Sequence, residues 1–137
     1  MNGRNILLDT NVVLFVLSDL NHLVVLKGCN LYISFITELE LLSYPAISEK
    51  DKITIQKFIS KTTIIDINTI IKENTIELRK KYKIKLPDAI ISATALANNF
   101  VLYTNDKGLL KITEIKIKSC NYLPPIIFLQ ITKIDRY

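Results

Sequence analysis

Short apolar runs alternate along the chain with longer stretches in which apolar residues recur every three or four positions. The run 6–8 contains no polar residue, which is typical of a strand buried on both faces of a sheet. Comparable runs at 31–33, 63–65, 100–103 and 115–117 predict further strands, the last of them at an edge. The pattern therefore predicts four or five short strands.

Helical patterns separate these runs, and several carry recognisable start or stop signals. Ser48 with Asp51 resembles a capping box, Pro87 is placed as at a helix start, and Asn98 with Asn99 is a stop signal. The predicted helices cover residues 12–17, 34–42, 48–59, 68–82 and 87–97. Alternating strands and helices predict an α/β fold, a three-layer α/β/α sandwich with a mostly parallel sheet.

Length and composition limit the class of protein. A chain of 137 residues predicts one domain, and 49% hydrophobic residues exclude a disordered chain. The longest uncharged run, 89–105, is interrupted by two asparagines and is too short to span a membrane. The N-terminal apolar run is too short for a signal peptide, so we expect a cytoplasmic protein without a membrane partner.

The rarer residue types exclude several kinds of site. Cys29 and Cys120 do not form a CxxC pair, and His22 is the only histidine, so a structural zinc site and histidine-based acid–base chemistry both lack ligands. We expect both thiols to be small buried groups. The net charge of +5 favours nucleic acid only weakly, because excess lysine also keeps proteins soluble.

Four acidic residues stand where ligands bind in parallel α/β sheets, at the carboxyl ends of strands. Asp9 and Asp106 directly follow apolar strands, and Glu40 and Asp88 lie on helices that begin after such strands. Converging carboxylates repel one another unless they bind a divalent cation or take up protons. An oxygen-only cluster selects a hard ion such as Mg²⁺ or Mn²⁺, which can activate a bound water.

Each acid also has a purely structural interpretation. Asp9 can cap the following helix, Asp88 can complement a helix dipole, and Asp106 can belong to a turn. Glu40 stands three residues after Thr37, which is the spacing of a capping box. Taken singly, each structural interpretation is the simpler one, whereas the order of the four acids along the chain favours a shared site.

Four segments, in this order, resemble the motif series of PIN-domain ribonucleases, and most closely that of VapC-type toxins of toxin–antitoxin modules. The segments are Leu8-Asp9-Thr10-Asn11, Ile33-Ser34-x-x-Thr37-x-x-Glu40-Leu41, Pro87-Asp88-Ala89-Ile90-Ile91-x-Ala93 and Leu102-Tyr103-Thr104-Asn105-Asp106. The later Pro125-x-x-Phe128-Leu129 resembles the tail that often closes these domains. The resemblance thus covers nearly the whole chain.

The resemblance implies a metal-dependent endoribonuclease that hydrolyses RNA phosphodiester bonds with Mg²⁺ or Mn²⁺. It implies that Asp9, Glu40, Asp88 and Asp106 are the catalytic, metal-binding residues. Their supporting residues are then Thr10, Asn11, Thr37, Thr104 and Asn105. Glu38 competes with Glu40, which only the Thr-x-x-Glu-Leu spacing favours. A cognate antitoxin, an RNA substrate and a homodimer are the partners that such toxins imply.

A run of basic residues precedes Asp88 and has two interpretations. Its candidate RNA contacts are Arg79, Lys80, Lys81, Lys83 and Lys85. A solvated helix face explains the same pattern without RNA.

Two other functions are compatible with parts of the pattern. One is a catalytically silent PIN-like module that binds RNA or protein. The other is a phosphoryl-transfer protein of the receiver or haloacid-phosphatase type, but the second Asp that such phosphatases use two residues after the first is absent, since Asn11 stands there.

Overall fold

The computed structural model describes residues 3–19 and 26–119, within which five strands, five α-helices and one 3₁₀ turn are formed. The strands are β1 (Asn5–Leu8), β2 (Asn30–Ser34), β3 (Thr63–Ile65), β4 (Val101–Tyr103) and β5 (Lys116–Lys118). The helices are α1 (Thr10–Ser18), α2 (Phe35–Leu42), α3 (Glu49–Ile59), α4 (Thr69–Lys81) and α5 (Leu86–Asn98), and the 3₁₀ turn is Lys107–Leu109. Each predicted element is present, with ends within two or three residues of the prediction.

The strands form one sheet in the order β3-β2-β1-β4-β5, and every neighbouring pair is parallel. β1 is the central strand, with Leu7 opposite Tyr32 of β2 and Leu102 of β4. Because all strands point the same way, the residues after β1, β2 and β4 lie at a common edge. The predicted parallel sheet is confirmed, and it has five strands, where the sequence predicts four or five.

Alternating residues of the central strand divide the core between the two faces of the sheet. Ile6 and Leu8 pack with the buried residues of α1 and α3, whereas Leu7 packs with those of α4 and α5. The three residues are completely buried. Helices therefore cover both faces, and the three-layer α/β/α architecture is confirmed.

Local signals set the helix boundaries. The Ser48 hydroxyl accepts a hydrogen bond from the Asp51 N–H at 3.0 Å, as the predicted cap requires. Pro87 lies in the first turn of α5, and that helix ends at Asn99, which adopts a left-handed conformation with φ of 55°. Asparagine tolerates this conformation better than most residues, so it serves as a helix stop.

One expectation about the cysteines is wrong, and some others fall outside the described residues. Cys29 is only partly buried rather than enclosed, because it lies in the turn before β2. His22, Cys120 and the tail motif at 125–129 lie outside the described residues. Within residues 3–19 and 26–119, no helix is long and apolar enough to cross a membrane.

Candidate active site

Asp9 stands at the end of the central strand and is 3% exposed. Its Oδ1 accepts a hydrogen bond from the Thr10 N–H at 2.8 Å, and its Oδ2 accepts one from the Thr104 hydroxyl at 2.7 Å. Burial raises the pKa of Asp9 to about 7, against the lowering effect of these bonds, and the charges of Asp88 and Asp106 raise it further. Asp9 is thus both the cap of α1 and a buried carboxyl whose pKa is well above its ordinary value.

Thr104 connects Asp9 with the end of the neighbouring strand. Its hydroxyl donates to Asp9 and accepts a hydrogen bond from the Asp106 N–H at 3.0 Å. The Asp106 carboxylate accepts a hydrogen bond from the Gly108 N–H at 2.8 Å and so caps the 3₁₀ turn. The turn interpretation of Asp106 therefore holds, and the same residue also acts electrostatically on Asp9.

Asp88 enters from the other face of the sheet, in the first turn of α5. The residue at the N-cap of this helix, Lys85, makes no side-chain cap, so Asp88 is the acidic group of that helix end. It is half-buried, and its charge contributes to the raised pKa of Asp9. Two carboxyl groups from separate elements, Asp88 and Asp106, therefore act on Asp9 at the carboxyl edge of the sheet.

Glu40 is joined to the same edge through a threonine. The Thr10 hydroxyl donates to Glu40 Oε1 at 2.8 Å and lies 3.0 Å from the Thr37 hydroxyl. Both threonines are buried. Glu38 lies two residues before Glu40 on α2 and is half-buried. Its carboxyl does not take part in the hydrogen bonds among Thr10, Thr37 and Glu40.

The capping-box interpretation of Thr37 and Glu40 is wrong. α2 begins earlier, at Phe35, and Ser34 caps it by accepting from the Ile36 N–H at 3.2 Å. Thr37 consequently lies inside the helix, where its hydroxyl faces Thr10 instead of a free backbone N–H.

The two asparagines in the motifs have different surroundings. The Oδ1 of Asn11, in the first turn of α1, is buried and has no hydrogen-bond partner among the residues that the structure describes. Such an orphaned acceptor is unfavourable by about 1–3 kcal/mol unless a bound ion or water satisfies it. Asn105 Oδ1 accepts a hydrogen bond from the Ser119 hydroxyl at 3.2 Å.

The donor set fits a hard divalent cation. Carboxylate and amide oxygens are the ligands that Mg²⁺ and Mn²⁺ prefer, and mutual repulsion at Asp9 is what a bound cation would relieve. In the described part of the chain, no three Asp, Glu, His or Cys side chains already stand close enough to surround one ion. Binding through three carboxylates therefore requires side-chain movement at this edge.

The basic run before Asp88 is divided by the structure into paired and unpaired lysines. Lys80 Nζ lies 3.6 Å from a Glu77 carboxylate oxygen, and Lys81 Nζ lies 3.4 Å from one of Glu114. Lys83 and Lys85, in the loop that leads to α5, are exposed. Within the described residues, Arg79, Lys83 and Lys85 are the members of the run that have no carboxylate at ion-pair distance.

Two features near the site are not evident from the sequence motifs. Lys107 and Lys111 follow Asp106 with exposed side chains, and their closeness in sequence to an acidic strand end is the signal that could have identified them. Ser92 lies one turn after Asp88 on α5, completely buried, and its hydroxyl has no partner among the described residues. An i, i+4 spacing from Asp88 is the only sequence signal for it.

Comparison with known proteins supports the fold and the motif series together. Residues 6–115 match the model of the PIN domain. A chain of a toxin–antitoxin complex from Klebsiella pneumoniae is 31% identical, with a TM-score of 0.69, and the match covers 80% of this chain and 93% of that one. A search of curated proteins finds no match.

Two further solved structures are similar. A chain of VapBC2 from Rickettsia felis, solved bound to a DNA fragment from its promoter, is 26% identical with a TM-score of 0.73, covering 84% of this chain and 98% of that one. A chain of VapBC-1 from nontypeable Haemophilus influenzae is 22% identical, also with a TM-score of 0.73, covering 84% and 97%, and shows likeness of fold. The resemblance drawn from the sequence is confirmed, and the protein belongs to the PIN-domain family.

Proposed function

We propose that the protein is a metal-dependent endoribonuclease that hydrolyses RNA phosphodiester bonds and acts as the toxin of a toxin–antitoxin pair. The observation that carries this proposal is the pKa of Asp9, raised to about 7 by burial and by the charges of Asp88 and Asp106. Strongly perturbed carboxyls grouped at a strand edge are typical of functional sites. PIN domains are generally nucleases that use a divalent metal, which agrees with this chemistry.

Asp9, Glu40, Asp88 and Asp106 are the residues that would hold Mg²⁺ or Mn²⁺. A bound cation of this kind supplies Lewis acidity and lowers the pKa of a coordinated water. The orphaned Oδ1 of Asn11 is an additional oxygen that the cation or its water could satisfy.

The surrounding hydroxyls do the positioning. Thr104 holds one oxygen of Asp9, and the Thr10 N–H holds the other, so the carboxylate has a fixed orientation before any ligand arrives. Thr10 also holds Glu40, which supports Glu40 over Glu38 as the second acid of the site. Asn105, held by Ser119, is proposed to stabilise the segment that carries Asp106.

The partner proposal rests on the similar structures, which include toxin–antitoxin complexes from Klebsiella pneumoniae and Rickettsia felis. We infer that a cognate antitoxin covers the carboxylate edge and places a basic side chain among the acids. Self-association as a homodimer and a cytoplasmic location complete the proposal.

Cleavage assays test the catalytic part. The purified protein should cut single-stranded or loop regions of RNA in Mg²⁺ or Mn²⁺ and be inactive in EDTA, while its Asp9→Asn form remains folded and inactive in both. Undiminished cleavage in EDTA would contradict the metal mechanism, and a folded wild type that never cuts RNA would favour a silent PIN-like module.

Expression in cells tests the toxin part. Growth should stop when the protein is produced alone and recover when the neighbouring gene is co-expressed. A wild type that is as harmless as its Asp9→Asn form would contradict the toxin assignment.

A further inference from the structure

Two segments beside the carboxylates carry lysines but no acidic residue. The loop between α4 and α5 contains Lys83 and Lys85, and the stretch of chain from Lys107 to Thr113 contains Lys107 and Lys111. All four lysine side chains are exposed. Within the described residues, none of them stands at ion-pair distance from a carboxylate.

The two segments touch each other and adjoin the site. Lys111 Nζ donates a hydrogen bond to the Lys83 carbonyl oxygen at 3.3 Å. The first segment ends at Lys85, three residues before Asp88, and the second begins directly after Asp106. Both aspartates act electrostatically on Asp9, so the two segments are joined through the chain to residues of the acidic centre.

This arrangement suits a ligand whose negative charges repeat along a chain. A carboxylate centre repels a phosphodiester backbone, and neighbouring cations within a Debye length of ~8–10 Å offset that repulsion. Leu86 and Leu110, next to these lysines in sequence, are 49% and 54% exposed and offer apolar contact to unpaired bases. A duplex keeps its bases stacked inside and presents no such apolar faces.

We propose that Lys83, Lys85, Lys107 and Lys111 form one phosphate-binding surface that holds the backbone of single-stranded RNA beside the carboxylate site. The proposal rests on the proposed nuclease function and specifies where its substrate is held. It divides the basic run differently from the sequence motifs: Lys80 and Lys81, already opposite carboxylates, lie outside this surface.

Binding measurements in EDTA test the surface without cleavage. The probe is a fluorescent single-stranded oligoribonucleotide of mixed sequence, titrated over a range of salt concentrations, with a gel to show that it stays intact. Two variants are compared with the wild type: one with the four proposed lysines changed to Gln, and a matched control. The control carries Lys50→Gln, Lys52→Gln, Lys57→Gln and Lys61→Gln, exposed positions on and after α3, against the opposite face of the sheet.

The expected results follow from counterion release. Each phosphate contact on a single strand contributes ~0.7 to the salt slope, so losing four contacts should lower the slope by about two to three and weaken binding at least about tenfold at moderate salt. The control should bind within about twofold of the wild type. Equal losses in both variants would overturn the surface.

Thermal melting, two double variants and a competition experiment complete the test. Thermal melting shows whether the quadruple variant is folded; if it is not, Lys83→Gln/Lys85→Gln and Lys107→Gln/Lys111→Gln should each give about half the slope change. If one of these two double variants accounts for the whole change in salt slope, the proposal that all four lysines form one surface is wrong. Polyglutamate that competes with RNA as well as unlabelled RNA does would indicate an acidic protein ligand and would also overturn it.

The failure of this proposal and the failure of the proposed function are distinguishable. If the wild type cleaves RNA and the quadruple variant binds RNA normally, the proposed function stands and the proposed surface is wrong. If the wild type binds RNA through these lysines but never cleaves it, the surface stands and the nuclease function is wrong.

Discussion

Asp9 and Asp106 occupy equivalent places in sequence and very different places in the molecule. Each closely follows a short apolar strand, and each caps a helical turn. Asp9 directly follows the central strand and is buried, with both oxygens hydrogen-bonded, whereas Asp106 lies three residues after β4, a strand nearer the sheet edge, and is half-buried on a loop. The comparison teaches that sheet position, and not local motif, decides which capping aspartate becomes the electrostatic centre.

We expect the largest difference between the Asp9 and Asp106 variants in the rate of RNA cleavage. We expect Asp9→Asn to lower RNA cleavage by at least about three powers of ten, equivalent to ~4 kcal/mol, because it removes the central ligand charge. Asp106→Asn should cost less, about tenfold to a hundredfold, because the side chain is peripheral. Single-turnover cleavage with folded variants measures both. A larger loss at Asp106 would reverse the comparison.

The pH dependence of stability should distinguish them next. The pKa of Asp9 is about 7 in the folded protein against 3.8 for an ordinary aspartate, so its contribution to stability is fully present below about pH 4 and is lost as the pH rises through about 7. From about pH 5 to about pH 8 in EDTA, the wild type should lose about 2–3 kcal/mol of unfolding free energy relative to Asp9→Asn.

Denaturant unfolding at several pH values makes this measurement. Asp106→Asn is the matched control: because the charge of Asp106 is the smallest of the effects that raise the pKa of Asp9, this variant should still lose stability over the same range, by slightly less than the wild type. A wild type that runs parallel to Asp9→Asn would show that Asp9 titrates normally.

A third prediction compares Glu40 with Glu38, the two glutamates of α2. Because the Thr10 hydroxyl links Glu40 to the residue after Asp9, Glu40→Gln should reduce turnover at least about tenfold more than Glu38→Gln, or ~1.4 kcal/mol of transition-state stabilisation. Cleavage rates of the two variants decide this. Equal effects, or the reverse order, would place Glu38 in the site.

The smallest expected effect is on metal-dependent stability. At ten times its Kd, Mn²⁺ should stabilise the native protein by ~1.4 kcal/mol and raise the Tm by roughly 3–6 °C. Asp106→Asn keeps an oxygen for the Gly108 N–H, so we expect unchanged or slightly higher stability in EDTA and a smaller Mn²⁺ shift. Melting curves with and without Mn²⁺ test this, and an undiminished shift would remove Asp106 from the site.

The sequence was sufficient for the fold because its signals are local. Residues 6–8 are apolar on both faces, as a central parallel strand must be. Asn99 ends α5 in a left-handed backbone conformation that few residue types tolerate. The acids at the strand ends could be grouped for the same reason, since parallel strands end at one edge. The degree of burial that raises the pKa of Asp9 depends on helices from both faces, which no local pattern encodes.

Long-range side-chain contacts were out of reach of the sequence. The pairing of Lys81 with Glu114 joins residues 33 positions apart and changes which part of the basic run remains unpaired. The spacing of Thr37 and Glu40 also allows a local capping box, whereas the Thr37 hydroxyl contacts a threonine 27 residues earlier. Side-chain hydroxyls bond to groups that are close in three dimensions, so spacing alone does not identify this partner.

The threonine group beside Glu40 also fixes the order of its protons. A hydroxyl has one proton to donate, and Thr10 gives its own to Glu40, so the contact between the two threonines must use the proton of Thr37. The row Thr37, Thr10, Glu40 is therefore polarised in one direction. The acceptor oxygen of one carboxylate thus sets the rotation of two hydroxyl groups that tie α1 to α2.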